Sequence, residues 1–283
     1  MSSLPKGMVR EAVQAALAED LGRAGDITTN SVVAEDARLS AVVAAREGGR
    51  ICGIELAGAA FLEMDDSIQL HVHTPDGRDV EAGDAVLEIH GNARAILTAE
   101  RTALNFLGHL SGIATATRHL VRAVEGTDAE ICCTRKTTPG LRVFEKYAVR
   151  TGGGTNHRFG LDDAVLIKDN HLALSGGVAA AVEAARRATG HMVRVEVEVD
   201  TLDQLDEALA VGAEIILLDN MPPETLKRAV ETVSGRAILE ASGGITGETV
   251  GAVAQSGVDL ISVGWITHSA PCLDLGLDYS GTT

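Results

Sequence analysis

The sequence predicts an α/β protein: a barrel-like domain of parallel strands, incomplete at about six strands, together with an N-terminal α+β layer domain. Two observations lead to this prediction. In the second part of the chain, short apolar runs alternate with helical patterns, which is the order that parallel βα units produce. In the first hundred residues, strand and helix patterns do not alternate regularly, which is typical of an α+β domain. An open doubly wound sheet is the alternative for the second part.

The α+β domain is predicted over residues 1–108, completed by 269–283. Its first helix carries Val9, Val13 and Leu17 on one face. A strictly alternating segment, 68–73, is typical of a half-buried strand, and Gly-rich and Asp-Gly turns separate the other elements. The predicted elements are helices over 8–21 and 54–64 and strands over 38–45, 68–73 and 85–89.

The barrel-like domain is predicted over residues 109–268. A long Ala-rich helix is expected over 95–124, broken or kinked near Ser111 and Gly112. Six apolar runs then predict strands, with helical patterns between the later ones. The predicted strands are 129–133, 164–167, 193–199, 214–218, 237–239 and 259–263, and the predicted helices are 178–188, 202–210, 225–233 and 249–256.

Composition narrows the range of partners. The chain has 24 Lys and Arg against 40 Asp and Glu, a net charge of −16, and aromatic residues make up 2 %. Bulk attraction to nucleic acid or to an anionic membrane is therefore not expected. The four cysteines show no CxxC spacing, and neither a secretory pattern nor a membrane-spanning apolar run is present. These features predict a cytoplasmic protein with reduced thiols.

Polar or glycine residues follow successive predicted strands. Because the carboxyl ends of parallel strands in a barrel meet at one face, these residues are expected to converge there. Segment 193–199 alternates valines with charged residues, which predicts that its charged face lines a polar, ligand-filled interior. The alternative is an edge strand with a solvated face. The strand-end residues are Lys168, Glu198, Asp200, Asp219, Asn220, Glu240, Ser242, Gly243, Gly244 and Gly264.

One segment reverses the charge of the chain. Residues 131–170 contain seven Lys and Arg against four Asp and Glu, a balance of +3 within a chain at −16. Such a cluster predicts an anion site, and the glycine-rich stretch 151–158 would let backbone approach a bound group. A flexible connector with solvated charges is the alternative. Ser242, Gly243 and Gly244 are a candidate phosphate cradle. The GxGxxG, Walker, GxSxG and HExxH motifs are absent.

At these residues the sequence resembles the quinolinate phosphoribosyltransferase family, from about residue 8 to the C-terminus. The block 134–171 carries the most specific likeness, and Cys133 departs from it, since the family usually has an acid there. The matching stretches are 99–105, 110–115, 134–142 (TRKTTPGLR), 145–149, 152–160, 166–171 (LIKDNH), 196–200, 217–220 and 241–245.

The resemblance implies transfer of phosphoribosyl from phosphoribosyl pyrophosphate to quinolinate, with release of pyrophosphate and CO₂. It implies that quinolinate carboxylates bind Arg135, His157, Arg158 and Lys168. It also implies that Arg101 comes from the neighbouring subunit of a homodimer or larger assembly.

Further roles also follow from the resemblance. Glu198 and Asp219 would face the ribose hydroxyls and Mg²⁺, and Lys136 would lie near the pyrophosphate. Lys136, Lys168, Glu198 and Asp219 are the expected catalytic residues. The remaining expected substrate contacts are Thr134, Ser242, Gly243, Gly244, Val263, Gly264, Trp265 and His268, of which the serine and the glycines would hold the 5′-phosphate.

Two other functions stay open at this point. One is a phosphoribosyltransferase acting on nicotinate or another pyridine acid. The other is a non-catalytic sensor that binds phosphoribosyl pyrophosphate without releasing pyrophosphate. The residue that would protonate the ring carbon after decarboxylation is also open among Lys136, Lys168, His157 and water.

Overall fold

The computed structural model describes residues 4–281, without the side chains of the last two. Within these residues the chain forms two compact units. Unit 1 comprises 4–116, 143–152 and 269–281, and unit 2 comprises 117–142 and 153–268. The domain boundaries expected from the sequence differ at 109–116 and 143–152, which belong to unit 1. Side chains explain this difference: Tyr147 donates a hydrogen bond to Asp76, and His109 lies 2.9 Å from Glu145.

The first part of the chain forms three short helices and five strands before a long helix. These elements are α1 (Lys6–Leu21), α2 (Ile27–Val32), β1 (Arg38–Ala45), β2 (Gly49–Arg50), α3 (Ile54–Met64), β3 (Gln69–Val72), β4 (Asp79–Val80), β5 (Ala85–Asn92) and α4 (Ala93–Ala123).

The second part alternates strands and helices. Its elements are β6 (Glu130–Cys132), α5 (Arg142–Gly152), β7 (Val165–Ile167), α6 (Asp169–Ser175), α7 (Val178–Ala188), β8 (Val195–Val199), α8 (Leu202–Ala210), β9 (Ile215–Asp219), α9 (Pro223–Val233), β10 (Ile238–Ser242), α10 (Val250–Ala254), β11 (Leu260–Ser262), α11 (Trp265–His268) and β12 (Leu275–Gly281). The predicted strands and helices are all present, whereas α2, α5, α6 and α11 were not predicted.

Unit 1 is built on an antiparallel sheet in the order β12-β1-β5-β3. The C-terminal strand pairs with β1, where Ala45 faces Leu275, so the last residues of the chain complete this sheet. Side chains fix the helix starts. Asp26 accepts the backbone N–H of Thr29 at the start of α2, and Asp76 accepts two N–H groups at the start of α3.

Helix α4 runs without interruption from Ala93 to Ala123, so the prediction of a break near Ser111 and Gly112 is wrong. Both residues are small because other backbone approaches them closely. A Cβ at Gly112 would overlap the carbonyl of Pro271, and the Ser111 hydroxyl exchanges hydrogen bonds with the backbone of Cys52. The small residues therefore serve packing, and the helix continues through them.

Unit 2 is built on a parallel sheet in the order β6-β11-β10-β9-β8-β7. From β7 to β11 each strand is added on the same side of the previous one, and the first strand, β6, pairs with the last. This cyclic order is that of a barrel opened between β6 and β7, and a doubly wound sheet would instead reverse direction. At the open edge of β6, Thr155 forms an isolated parallel bridge with Cys132. The prediction of an incomplete barrel is confirmed.

The two faces of the parallel sheet differ in chemistry. Val197, Ile216, Leu218 and Ile261 share one face and are fully buried. The other face carries the alternate residues, which include acids at Glu196, Glu198 and Glu240. None of the helices in residues 4–281 is long and apolar enough to cross a membrane.

Candidate active site

Pairing between the strands brings the predicted strand-end residues together. The last pair of the β7–β8 ladder immediately precedes Lys168 on one strand and Glu198 on the other. The β9–β10 ladder ends at the pair of Asp219 and Ser242. Because these residues occupy the carboxyl edge and share one face of the sheet, their side chains point to the same side. That edge is the one at which α/β barrels place their chemistry.

An ion pair joins two neighbouring strand ends. The Lys168 Nζ lies 2.6 Å from Oε2 of Glu198, whose side chain is 10 % exposed. On the next strand, burial and the charge of Asp200 raise the pKa of Asp219, while Lys168 and Lys136 act in the opposite direction. Lysines and carboxylates are therefore mixed at this edge, and burial makes the largest contribution to the raised pKa of Asp219.

The loop after β11 lies against residues that follow β6. A Cβ at Gly264 would come within 3.0 Å of the Lys136 side chain, 3.5 Å of the Thr134 hydroxyl and 3.6 Å of the His268 ring. The Thr267 hydroxyl donates to the carbonyl of Lys136 at 2.8 Å. Glycine leaves room between a lysine, a hydroxyl and an imidazole, which is the composition of an anion site.

Gly243 follows β10 and is the second close approach at this edge. Its φ is +103°, and a Cβ there would overlap Asn220. The amide of Asn220 in turn donates to Oδ2 of Asp219 at 2.6 Å. Glycine at this position therefore lets the loop that follows β10, the candidate phosphate cradle, lie against the end of β9.

Two arginines of the basic segment have buried, unused donors. The Nε atoms of Arg135 and Arg158 are buried and have no hydrogen-bond partner among the described residues. Burial and the neighbouring charge of Arg135 lower the pKa of Arg158, which also donates through Nη1 to the carbonyl of Ala164 at 2.9 Å. Half-buried guanidinium groups with spare Nε–H donors are suited to a carboxylate or phosphate ligand.

His157 lies between two carboxylates that sequence reasoning did not select as site residues. Its Nε2 is 3.0 Å from Oε2 of Glu196 and 3.7 Å from Oε1 of Glu240. Both glutamates are buried, and the pKa of Glu240 is raised to about 7, chiefly by burial and next by the charge of Glu196. These three are the one group of metal-ligand type whose donor atoms cluster within 4.8 Å in the described chain.

The alternative of a solvated edge strand for 193–199 is excluded. Strand β8 pairs with β7 on one side and β9 on the other. Its side chains are buried on both faces, with Val197 at 0 % and Glu196 at 7 % exposure. The prediction that its charges line a polar interior is confirmed.

The structure shows the surroundings of further residues predicted to belong to the site. Arg101 is exposed on α4 in unit 1. Val263 is buried, and its backbone N–H donates to the carbonyl of Cys132. The indole N–H of Trp265 donates to the carbonyl of Ile245. The glycine-rich stretch 151–158 is no free connector, because Thr151 and Gly152 end α5 and Thr155 bridges to β6.

A cavity of about 590 Å³ opens at the opposite, N-terminal edge of the parallel sheet. Its charged lining residues include Arg194 and Glu214, whose side chains lie 3.7 Å apart, and Arg236, which donates to two backbone carbonyls. These cations are already partnered, so we place the candidate site at the carboxyl edge instead.

Comparisons with known proteins agree with this assignment. The family model for the quinolinate phosphoribosyl transferase N-terminal domain matches residues 26–111, and that for the C-terminal domain matches residues 113–278. The chain belongs to the quinolinate phosphoribosyltransferase family. The resemblance found in the sequence is therefore confirmed over both parts of the chain.

Individual relatives match almost the whole chain. The probable nicotinate-nucleotide pyrophosphorylase [carboxylating] of Bacillus subtilis is 46 % identical over 260 residues, covering 92 % of this chain and 89 % of the relative. The Mycobacterium leprae enzyme of that name is 45 % identical over 274 residues, covering 95 % and 96 %. The solved nicotinate-nucleotide pyrophosphorylase from Francisella tularensis superposes with a TM-score of 0.94 at 43 % identity, covering 98 % of each chain.

Cys133, at which the chain departs from the family pattern, is buried next to the open edge of the barrel. Its Sγ lies 3.2 Å from Oδ1 of Asn156, and its backbone N–H donates to the carbonyl of Thr155. The thiol thus takes part in attaching segment 155–157, which carries His157, to β6.

Proposed function

We propose that this chain transfers the phosphoribosyl group of phosphoribosyl pyrophosphate to the ring nitrogen of quinolinate and releases pyrophosphate and CO₂. The product is nicotinate mononucleotide, on the de novo route to NAD. The observation that carries the proposal is the group of cations at the carboxyl edge of a parallel sheet, within a chain of net charge −16. Relatives of almost equal length with carboxylating names support the same reaction.

Quinolinate carries two carboxylates, and the two half-buried arginines offer matching donors. Arg135 and Arg158 would bind them through guanidinium groups that have spare Nε–H donors, together with His157 and Lys168. Nicotinate has one carboxylate, so it would leave a buried cation unpaired. Sites of that kind discriminate by ~10⁴-fold or more.

The residues at the ends of β8 and β9 fit Mg²⁺. Glu198 and Asp219 supply the hard oxygen ligands that Mg²⁺ prefers, and the charge of Asp200 adds to burial in raising the pKa of Asp219, a charge that a dication would offset. When bound with the substrate, Mg²⁺ would neutralise charge on the pyrophosphate. Glu198 and Asp219 would also face the ribose hydroxyls.

The reaction makes little demand for a general base, because the pyridine nitrogen is already a nucleophile. Its lone pair forms the new bond to ribose C1 as the C1–O bond to pyrophosphate breaks. Negative charge grows on the leaving group near Lys136. The carboxylates of Glu198 and Asp219 stabilise the positive charge that develops on the ribose. Loss of CO₂ then leaves an electron pair on ring carbon 2, which takes up a proton.

The loop residues after β10 and β11 complete the proposed substrate site. Thr134 and His268 stand beside Gly264, and Ser242 opens the loop that contains Gly243. We assign the 5′-phosphate of the ribose to Ser242, Gly243, Gly244 and Gly264, where glycine lets backbone N–H groups approach an anion closely.

Turnover of the purified chain tests the proposal. With quinolinate, phosphoribosyl pyrophosphate and Mg²⁺, we expect pyrophosphate and CO₂ in equal amounts, and no measurable turnover with nicotinate. Lys168→Ala and Arg135→Ala should each lower kcat/KM at least ~100-fold, because each removes a preorganised cation. Lys227→Ala, on the exposed face of α9 in the same unit, is the matched control and should keep full activity.

Other outcomes would contradict the proposal. Equal turnover of nicotinate would assign the chain to the alternative phosphoribosyltransferase, and binding of phosphoribosyl pyrophosphate without release of pyrophosphate would make it a sensor. Normal activity of either cation variant would remove that residue from the site.

We also propose that the active enzyme is a homodimer or larger assembly in which Arg101 completes the site of the neighbouring subunit. This proposal rests on the family resemblance and on the exposure of Arg101 on α4. A location in the cytoplasm stays a prediction from the sequence.

Mixed assemblies test the role of Arg101. Arg101→Ala and Lys168→Ala should each be inactive alone. A dimer with one subunit of each kind would contain one intact site and one doubly altered site, so random mixing in equal amounts should restore about a quarter of the wild-type activity. A mixture that remains inactive after verified subunit exchange would show that Arg101 acts within its own subunit or not at all.

A further inference from the structure

Three side chains from separate parts of unit 2 meet inside the parallel sheet. Glu196 on β8 and Glu240 on β10 come from the strands that flank β9. Both reach Nε2 of His157, at 3.0 Å and 3.7 Å. His157 lies two residues beyond Thr155, which is hydrogen-bonded to the edge of β6. Strands β8 and β10 therefore place two carboxyl groups beside the same nitrogen of the His157 ring.

Folding alone does not account for this arrangement. One N–H can serve one carboxylate oxygen well, and Oε1 of Glu196 and Oε1 of Glu240 are buried without a hydrogen-bond partner among the described residues. Carboxylates that are buried and incompletely bonded destabilise a fold. Two such carboxyl groups beside one imidazole thus point to a role in setting the protonation state of His157.

The chemistry of imidazole indicates which nitrogens of His157 carry protons. A nitrogen that lies 3.0 Å from an ionised carboxylate carries a proton, so Nε2 donates to Glu196. Neighbouring negative charge favours the imidazolium, in which Nδ1 on the opposite edge of the ring also carries a proton. A neutral ring with its proton on Nε2 would instead offer a lone pair at Nδ1, which repels a carboxylate ligand.

We propose that Glu196 and Glu240 are positioning residues that hold His157 as a charged hydrogen-bond donor for a quinolinate carboxylate. This inference rests on the proposed function, in which His157, Arg135 and Arg158 bind the two carboxylates. It adds a reason for both buried acids: their negative charge offsets the positive charge of the neighbouring guanidinium groups. Without them, that positive charge would favour the neutral imidazole before substrate binds.

The charges around the ring are consistent with this role. Glu196 and Glu240 face it from β8 and β10, Arg158 follows it in the chain, and the charges of Arg135 and Glu196 both act on Arg158. The adjacent guanidinium groups also disfavour a metal cation at this cluster.

The protonation state of His157 can be measured without turnover. In protein labelled with ¹⁵N-histidine, His157→Gln identifies the His157 signals by their loss. At pH 7.5 the wild-type ring should show both nitrogens protonated. Glu196→Gln should lower the titration midpoint of this ring by a unit or more and make it neutral at pH 7.5, and Glu240→Gln should lower it by less.

Steady-state kinetics gives a second readout. Glu196→Gln should raise KM for quinolinate at least ~10-fold while kcat and KM for phosphoribosyl pyrophosphate change little, since a contact used equally in ground and transition states affects KM. Glu196→Asp keeps the charge and should recover part of the loss. The matched control is Glu88→Gln, which removes a partly exposed carboxylate that also accepts from histidine and should leave both constants unchanged.

The outcomes separate this inference from the proposed function. A wild-type enzyme that turns over quinolinate but has a neutral His157 ring at pH 7.5 would overturn the inference and leave the function intact. A charged ring in a protein without quinolinate turnover would overturn the function. One equivalent of tightly bound metal that is lost in Glu196→Gln would make the cluster a metal site and would also overturn the inference.

Discussion

Strands β5 and β8 carry the same alternation of charged and apolar residues, yet their charged faces differ in environment. Each lies between two other strands of its sheet. On β5, the Glu88 and His90 side chains are 30 % and 41 % exposed. On β8, the side chains of Glu196 and Glu198 are 9 % and 10 % exposed. Neither alternation nor a central position determines whether a charged face meets water. The antiparallel sheet leaves one face open to solvent, whereas the curved parallel sheet encloses its inner face.

The same residue types consequently behave in opposite ways. His73 and His90 hydrogen-bond to Glu88 and lower its pKa at the surface. In unit 2, Glu240 also lies next to a histidine, but burial and Glu196 outweigh it and raise the pKa to about 7. Desolvation therefore decides the direction of the shift when a carboxylate is enclosed with a second acid.

The largest expected effect tests the buried side of this comparison. The folded-state pKa of Glu240 lies above its ordinary 4.5, so the folded protein binds more protons than the unfolded chain between pH 4.5 and 7. Stability is therefore lost as pH rises through that window. Glu240→Gln abolishes this titration, and its stability relative to wild type should increase by on the order of 2 kcal/mol from pH 5 to pH 8.

Trp265 provides the measurement. It is the single tryptophan of the chain and lies in unit 2, so its fluorescence during urea unfolding reports on the unit that contains Glu240. The wild type should lose stability between pH 5 and pH 8 relative to Glu240→Gln. A constant difference between the two proteins across that range would show that Glu240 titrates normally in the fold.

The sequence was sufficient to predict the architecture and the family, while the roles of the site residues stay predictions. Alternating valines in 193–199 predicted the polar interior correctly, because period-two patterning is a local property. Sequence analysis placed Glu240 among the strand-end residues but assigned it no role, because strand 237–239 was ended one residue early. Its alternation with Ser242 on β10, on the same face as Asp219, was the available signal.

Other features had no local signal at all. The contact between His157 and Glu196 joins segments about forty residues apart and follows from the bridge between Thr155 and Cys132. Helix α5 was missed because its charges suggested a binding segment, whereas Glu145 and Lys146 are buried in unit 1. Such assignments depend on tertiary packing, which residue type and spacing do not encode.

The smallest expected effect tests the exposed side. The folded-state pKa of Glu88 is lowered, first by the hydrogen bond from His73, so its stabilisation is present above the ordinary carboxylate pKa and is lost as pH falls through the folded value. Glu88→Gln should therefore weaken unit 1 at pH 7, and this effect should shrink as pH falls below the ordinary 4.5 towards the lowered folded-state pKa, the reverse of the pH trend for Glu240→Gln. Amide hydrogen exchange in β1 and β5, compared between wild type and variant at each pH, measures this effect.

Because the Glu88 side chain is partly exposed, 1 M salt should screen the effect of Glu88→Gln at pH 7. The pH-dependent gain in stability of Glu240→Gln should persist in 1 M salt. An effect of Glu88→Gln that matches the buried one in size, or that resists salt, would mean that the two histidine–carboxylate groups differ in position alone and not in solvation.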